Sequence, residues 1–445
     1  MRIKLPTMVI TAAAAGLAIA AAAPVAAQAS PASTTLAVPC SATTLATDIT
    51  GATSGETLQL APGCTYVLTS ALPSVGTDLT FQGNSATLER SLTGSPPDFS
   101  LLKVTSGANV TINGVNFRNG DAPAYGGALY NDEGSVTLTG GTFSGNTTGE
   151  YGGAIYNDGA LSVTGSTFTG NTAPGYYGGA IYNEYDANIS RATFTGNSAK
   201  DGGALYSEYN TVLAGSVFSH NTATEYGGGL YVDDDGITSV STSSFLSNNA
   251  EYGGGAYNYG YGSTFIRTLF RSNHASEYGG GLENAYIGSL IDVTFDGNSA
   301  TSYGGGIYND DYLSLIGGSF NGNTAVYGGG VDSYDDVVTS GGTSFTHNSA
   351  QYGGGLDVGS DYATVTGARF RWNTASSYGG GIYMGGDHLT LANDSVTYNS
   401  APAAAGGGVY NDEGDGAVGP VGQNVISWNT GGNCAPSGSV YGCTG

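Results

Sequence analysis

Basic residues are scarce: 11 Lys and Arg face 35 Asp and Glu, for a formal net charge of −24. A surface this acidic repels phosphate backbones and anionic lipid, which argues against nucleic acid and membrane surfaces as partners. The four histidines, His220, His274, His347 and His388, show neither metal-ligand nor triad spacing. Only four cysteines are present and no C-x-x-C pair occurs, so structural zinc is not expected. Helical periodicity is missing throughout, and past about residue 23 no apolar run is long enough to cross a bilayer.

The single long apolar run, from about Met8 to Ala23, follows Arg2 and Lys4 and precedes Ala27-Gln28-Ala29. That is the layout of a secretory signal with an A-x-A cleavage site, so residues 1–29 are expected to be removed. Removal deletes two bases and leaves no membrane span. The mature protein is then expected outside the cell, secreted or associated with the surface. Cys40, Cys64, Cys434 and Cys443 allow three pairings. The local one, Cys40–Cys64 with Cys434–Cys443, is expected because each pair brackets one end of the regular sequence.

Between those ends the chain repeats itself about every 25 residues. Gly pairs begin at Gly126, Gly152, Gly178, Gly202, Gly227, Gly253, Gly279, Gly304, Gly328, Gly353, Gly379 and Gly406. Each pair leads into a small residue, an aliphatic and often a Tyr. About 17 residues later comes Phe-x-x-Asn, from Phe143 with Asn146 to Phe370 with Asn373. A fixed period of this size means a solenoid, and it is too short for a propeller blade. In the copy from Gly152 to Asn171, Ile155, then Leu161 and Val163, then Phe168 alternate with polar residues. Three such runs separated by Gly, Asn and Asp predict three short strands and three turns per coil. Stacked coils would bury an aliphatic row, a Phe row and an Asn row, the last as a hydrogen-bonded amide ladder. The expected fold is all-β: a parallel β-helix of about twelve regular coils over 125–430. Capping and degenerate coils are expected over 30–124, and a disulfide loop over 431–445. The third repeat position changes from Ala (Ala128 to Ala204) to Gly (Gly229 onward); the sequence alone gives no reason.

Gly152-Gly153-Ala154-Ile155 with Phe168-Thr169-Gly170-Asn171, and Gly178-Gly179-Ala180-Ile181 with Phe194-Thr195-Gly196-Asn197, resemble the repeats of the polymorphic outer-membrane protein family. The resemblance covers about residues 115–430. It implies a right-handed parallel β-helix of the pectin-lyase-like class and a surface or secreted protein, often adhesive. Members of that family usually end in a membrane-inserting β-barrel. No room for one is seen before Gly445, so simple export is the expectation.

Two Tyr rows flank the Gly strand. One precedes Gly-Gly and includes Tyr151, Tyr177, Tyr226 and Tyr252; the other follows the aliphatic and includes Tyr156, Tyr182, Tyr231 and Tyr257. Alternation points the second row outward, over a glycine floor. Such a face would take a polysaccharide or a surface protein; the alternative is a self-stacking ladder that shields the glycines. Just past it an acidic turn holds Asp233, Asp235, Glu283, Asp310 and Asp311. Carboxylates there would offer oxygen ligands to Ca²⁺; the alternative is a solvated acidic row. No coil stands out as a unique active site. A non-catalytic, adhesin-like binding protein is therefore favoured. The alternative is a polysaccharide lyase or glycoside hydrolase of the same fold.

Overall fold

Each coil starts where Gly-Gly lets the chain turn. Gly152 has φ +68°, and a Cβ on it would collide with the Ile155 carbonyl oxygen. A Cβ on Gly153 would collide with the Gly179 carbonyl of the next coil. Both glycines are therefore required, one by conformation and one by close approach. The chain then runs as Ile155–Thr164, turns, continues as Thr167–Thr169, turns at Gly170-Asn171 and closes with Thr172–Tyr177. In the next coil the first segment splits into Ile181–Asn183 and Ala187–Ser190.

The computed structural model describes residues 34–445, apart from 360–361, 387, 413–418, 421–422, 438–439, 441–442 and 444–445. The expected signal, residues 1–29, lies outside the described residues. Every ladder between successive coils is parallel, so the fold is a parallel β-helix, of about 16 turns. One sheet has 28 strands, a second 15, and the third side is split into runs of 8 and 2. Four short strands per coil replace the three expected. The missed strand, such as Ser198–Asp201, buries a single apolar residue, Ala199, which is too weak a signal to read as a strand.

Equivalent residues coincide in register: Ile155 with Ile181, Phe168 with Phe194. The Phe rings from Phe117 to Phe370 are buried and stack at 4.5–4.9 Å between centroids. Burying each contributes about 1.5–3 kcal/mol before the ring pairing is added. Beside them runs the amide ladder. Asn171 Nδ2 donates to the Phe143 carbonyl (3.0 Å) and to Asn197 Oδ1 (2.9 Å), and Asn171 N–H donates to the same Oδ1 (3.0 Å). The pattern repeats from Asn146 through Asn399, so each internal rung saturates its buried amide. A second, shorter ladder joins Asn131, Asn157 and Asn183, and another Asn258, Asn284 and Asn309.

The Ala-to-Gly switch has a packing cause. Ala128, Ala154, Ala180 and Ala204 are fully buried. In the later coils the Phe ring closes over the same position. A Cβ on Gly255 would stand 2.8 Å from Phe270 Cδ1 and 2.5 Å from the Gly281 carbonyl oxygen.

Both ends are blunted. The first coils hold an unexpected helix, Ala42–Gly51, capped by Ser41, whose Oγ accepts the Thr44 N–H at 3.2 Å. Leu45 and Ile49 project from it into the core. This element was expected to be a degenerate strand; the buried pair spaced four residues apart is the helical signal. The Cys40–Cys64 and Cys434–Cys443 disulfides form as the local pairing requires.

Candidate functional site

The outward Tyr row and the Tyr row before Gly-Gly interlock. Tyr156, Tyr182 and Tyr206 are buried and pack with Tyr130, Tyr151, Tyr177 and Tyr231. Tyr151 lies 4.9 Å from Tyr182, and Tyr177 lies 4.7 Å from Tyr206, between ring centroids. Tyr226 sits against Tyr257 in the same way, and Tyr252 packs on Tyr278 of its own row. The rings that alternation turned away from the core are thus covered by the neighbouring row, over the glycine strand. Their hydroxyls point at carboxylates of the turn: Tyr156 donates to Glu184, Tyr182 to Glu208 and Tyr206 to Asp233. Burial first, then these hydrogen bonds, pushes the three phenols well above their ordinary range. Tyr252, raised mainly by burial and then by Glu251, is pushed up to about 12.

The acids proposed for Ca²⁺ do other work or none visible. Asp233 Oδ1 accepts the Asp234 N–H at 2.9 Å, Asp310 accepts the Tyr308 hydroxyl at 3.4 Å, and Asp311 accepts the Tyr312 N–H at 2.7 Å. Asp235 stands in the same turn as Asp233. Among the described residues no three Asp, Glu, His or Cys side chains converge as a metal site.

Two departures from the repeat emerge only when rows are aligned by register. The first lies in the outward row, which runs Tyr257, Glu283, Tyr308, Asp332, Asp357, Tyr383. Glu283 belongs to this row and not to the acidic turn, correcting its expected place. All three acids are buried. Glu283 Oε2 and Asp357 Oδ2 have no hydrogen-bond partner. At Asp332 and Asp357, where the side chain is shorter than tyrosine, there is a cavity of about 460 Å³ lined by these two acids and by Tyr303, Tyr308, Tyr327 and Tyr383 among others. Burial pushes Asp332 up to about 8, and burial with Asp332 alongside raises Asp357 further above the carboxylate range.

The second departure is on the opposite side, at the residue before each ladder Asn. That residue is left-handed in every coil: Gly145, Gly170, Gly196, Gly297 and Gly322 have φ between +60° and +66°. His220, Ser247 and Ser272 occupy it in the middle coils at φ +54° to +55°, and the rings of His347, Trp372, Tyr398 and Trp428 in the last coils at φ +54° to +58°. Left-handed backbone costs a residue with a Cβ about 1–2 kcal/mol. No core contact is gained in return: Trp372, Tyr398 and Trp428 are exposed, the last by 68%. The rings form a stack, His347–Trp372 at 5.1 Å and Tyr398–Trp428 at 5.3 Å. The Arg371 guanidinium lies 3.8 Å above Trp372 and 5.0 Å from Tyr398. Both tryptophans of the chain belong to this stack. The signal was present in the sequence as the residue preceding each Asn of Phe-x-x-Asn.

Fold and rows define a repetitive β-solenoid with a variable exterior. The family model for a right handed beta helix region matches residues 100–275, and that for the Chlamydia polymorphic membrane protein repeat matches residues 292–310. The fold is a right-handed parallel β-helix, and residues 292–310 are similar to the polymorphic membrane protein repeat. That repeat points to a protein of the cell surface or outer membrane. No curated protein matches the sequence. Among the described residues no helix is long and apolar enough to cross a membrane.

Proposed function

We propose that this is an exported, non-catalytic, adhesin-like surface protein that binds another protein through the Trp372–Trp428 stack. The observation that carries the reading is an exposed Trp–Tyr–Trp ladder with Arg371, held in left-handed backbone that glycine would occupy without strain. Strain kept at an exposed site, with no packing return, marks function. Trp, Tyr and Arg are the residues on which protein interfaces concentrate their binding energy. The rings stack on one another, so they offer edges and polar tips, which suits a protein surface better than the flat face of a sugar. We read the rows at Tyr151, Tyr156, Tyr177, Tyr182, Tyr226, Tyr231, Tyr252 and Tyr257 as a shield over the glycine strand.

The test replaces Trp372 and Trp428 by the residue the repeat favours, as Trp372→Gly/Trp428→Gly. Wild type and variant are compared on arrays of immobilised extracellular proteins and of glycans. The expected result is protein binding that falls at least tenfold in the variant, with an unfolding midpoint unchanged or raised. Binding to glycans alone, no binding to any arrayed protein, or a lowered midpoint would overturn the reading.

A further inference from the structure

A second site lies on another side of the helix and stands independently of the Trp372–Trp428 stack. Asp332 and Asp357 are Cα partners on adjacent parallel strands, about 4.8 Å apart along the axis. Both occupy positions that other coils give to tyrosine, and both are at least 95% buried. Asp357 lines the tyrosine-walled cavity, and its Oδ2 is buried without a hydrogen-bond partner. Two neighbouring carboxyls out of water either hold protons or face a counter-charge. No Lys, Arg or His lines the cavity, and Asp412 at its edge adds a third acid.

We infer that this cavity is a binding site for an organic cation, a primary or quaternary ammonium group. Its walls are the faces and edges of Tyr303, Tyr308, Tyr327 and Tyr383, which attract a weakly hydrated cation placed over them. The two aspartates supply the compensating charge by giving up a proton to solvent as the cation enters. Inorganic cations fit poorly: Ca²⁺ takes six to eight oxygen ligands, and no cluster of three acidic ligands exists among the described residues. A neutral sugar would satisfy Asp357 Oδ2 with a hydroxyl but would leave the paired acids without a counter-charge. The volume, about 460 Å³, suits a small head group and not an oligosaccharide.

The full chain is titrated calorimetrically at pH 7 with tetramethylammonium, n-butylammonium and Nα-acetyl-lysine methylamide, the last standing for a lysine on a partner protein. Ca²⁺ and glucose serve as comparison ligands. At least one ammonium probe is expected to bind at least tenfold more tightly than either comparison ligand. Asp332→Asn and Asp357→Asn should each weaken that binding at least tenfold. Replacing a buried carboxyl by an amide of the same shape should leave the thermal midpoint at or above wild type, which separates lost binding from lost folding. Tyr327→Leu provides a second variant that alters the wall and keeps both acids, and it should weaken tetramethylammonium most. Equal or tighter binding of glucose or Ca²⁺, no heat with any ammonium probe at millimolar concentration, or undiminished binding by the Asn variants would overturn the inference. So would release of reducing ends from a polysaccharide that the Asn variants abolish.

Discussion

Removing a central rung of the amide ladder should cost far more than an average buried substitution. Asn248 Oδ1 accepts the Asn221 backbone N–H and Asn221 Nδ2, each at 3.0 Å. Its own Nδ2 donates to the Phe218 carbonyl and to Asn273 Oδ1, each at 3.0 Å. Alanine removes all four bonds. Asn273 Oδ1 keeps the Asn248 N–H, and Asn221 Nδ2 keeps the Phe194 carbonyl. The Asn221 N–H keeps nothing and is fully buried. An orphaned buried donor costs about 2 kcal/mol, and the other three losses about 1 kcal/mol each. Asn248→Ala should therefore lose about 4–5 kcal/mol. Asn429 lies at the end of the ladder and is only half-buried, so Asn429→Ala should lose about 1–2 kcal/mol. Urea unfolding with both disulfides intact measures the difference, and exchange of the Asn221 amide reads it locally, because solenoids need not unfold in one step. A loss below about 1.5 kcal/mol for Asn248→Ala, or equal losses at the two positions, would refute the ladder as a principal source of stability.

Gly255→Ala should cost about 1–3 kcal/mol in the same assay, because its Cβ meets Phe270 Cδ1 at 2.8 Å. The reverse change in an early coil, Ala180→Gly, should cost only about 1 kcal/mol, and equal costs would refute the packing account of the switch. Stability should also fall as pH rises. Asp332 is raised to about 8, and Asp357 and Glu283 lie well above the usual range, Glu283 through burial first and then Asp310. The fold prefers their protonated forms, so their contribution is complete below about pH 4, the unfolded carboxyl range, and is lost as pH climbs through about 8. The surrounding Tyr303, Tyr308, Tyr327 and Tyr383 hydroxyls stay protonated over that window, and Asp412 is the remaining nearby acid. The urea midpoint of wild type should drop between pH 4 and pH 8 relative to Asp332→Asn/Asp357→Asn, and parallel curves would refute it.

The coil was legible because its large residues recur at fixed offsets. Ile155, Leu161, Val163 and Phe168 each announce an inward position, and their rows coincide as the repeat requires. The Asn that follows Phe was legible for the same reason. Ala199 and Asn157 were not: a lone alanine carries little hydrophobic signal, and an Asn in a turn reads as turn chemistry even when it is fully buried. The helix Ala42–Gly51 escaped because it is short, and its apolar pair Leu45 and Ile49 is surrounded by threonines. The alternation correctly turned Tyr156 and Tyr182 off the core, yet it says nothing of what lies over them. Only the register places Tyr125 4.5 Å from Tyr156 and Tyr151 4.9 Å from Tyr182. For the same reason Asp332 and Asp357, 25 residues apart in sequence, could not be recognised as neighbours without fixing which residue of one coil sits under which of the next.

In a solenoid each position is tried a dozen times, so a row states its own physical requirement. The Phe and Asn rows hold their residue from coil to coil because packing and hydrogen bonding fix it. Phe gives way to Leu88 and Tyr66 at the N-terminal end and to Val396 and Ile426 at the C-terminal end, where a change of ring volume faces fewer coils. The left-handed row takes glycine at Gly145, Gly170, Gly196, Gly297 and Gly322 but also His220, Ser247 and Ser272 in the middle coils, and the outward row mostly takes tyrosine. A tryptophan in the first and an aspartate in the second both run against the row's requirement, at a cost in stability that the fold does not recover locally. The paired aspartates and the first tryptophan fall close together: Asp332, Asp357 and Trp372 lie within two turns of one another along the axis, with Glu283 two turns before Asp332. Their concentration beside the disulfide-closed end is what a binding region built on an otherwise uniform rod would produce.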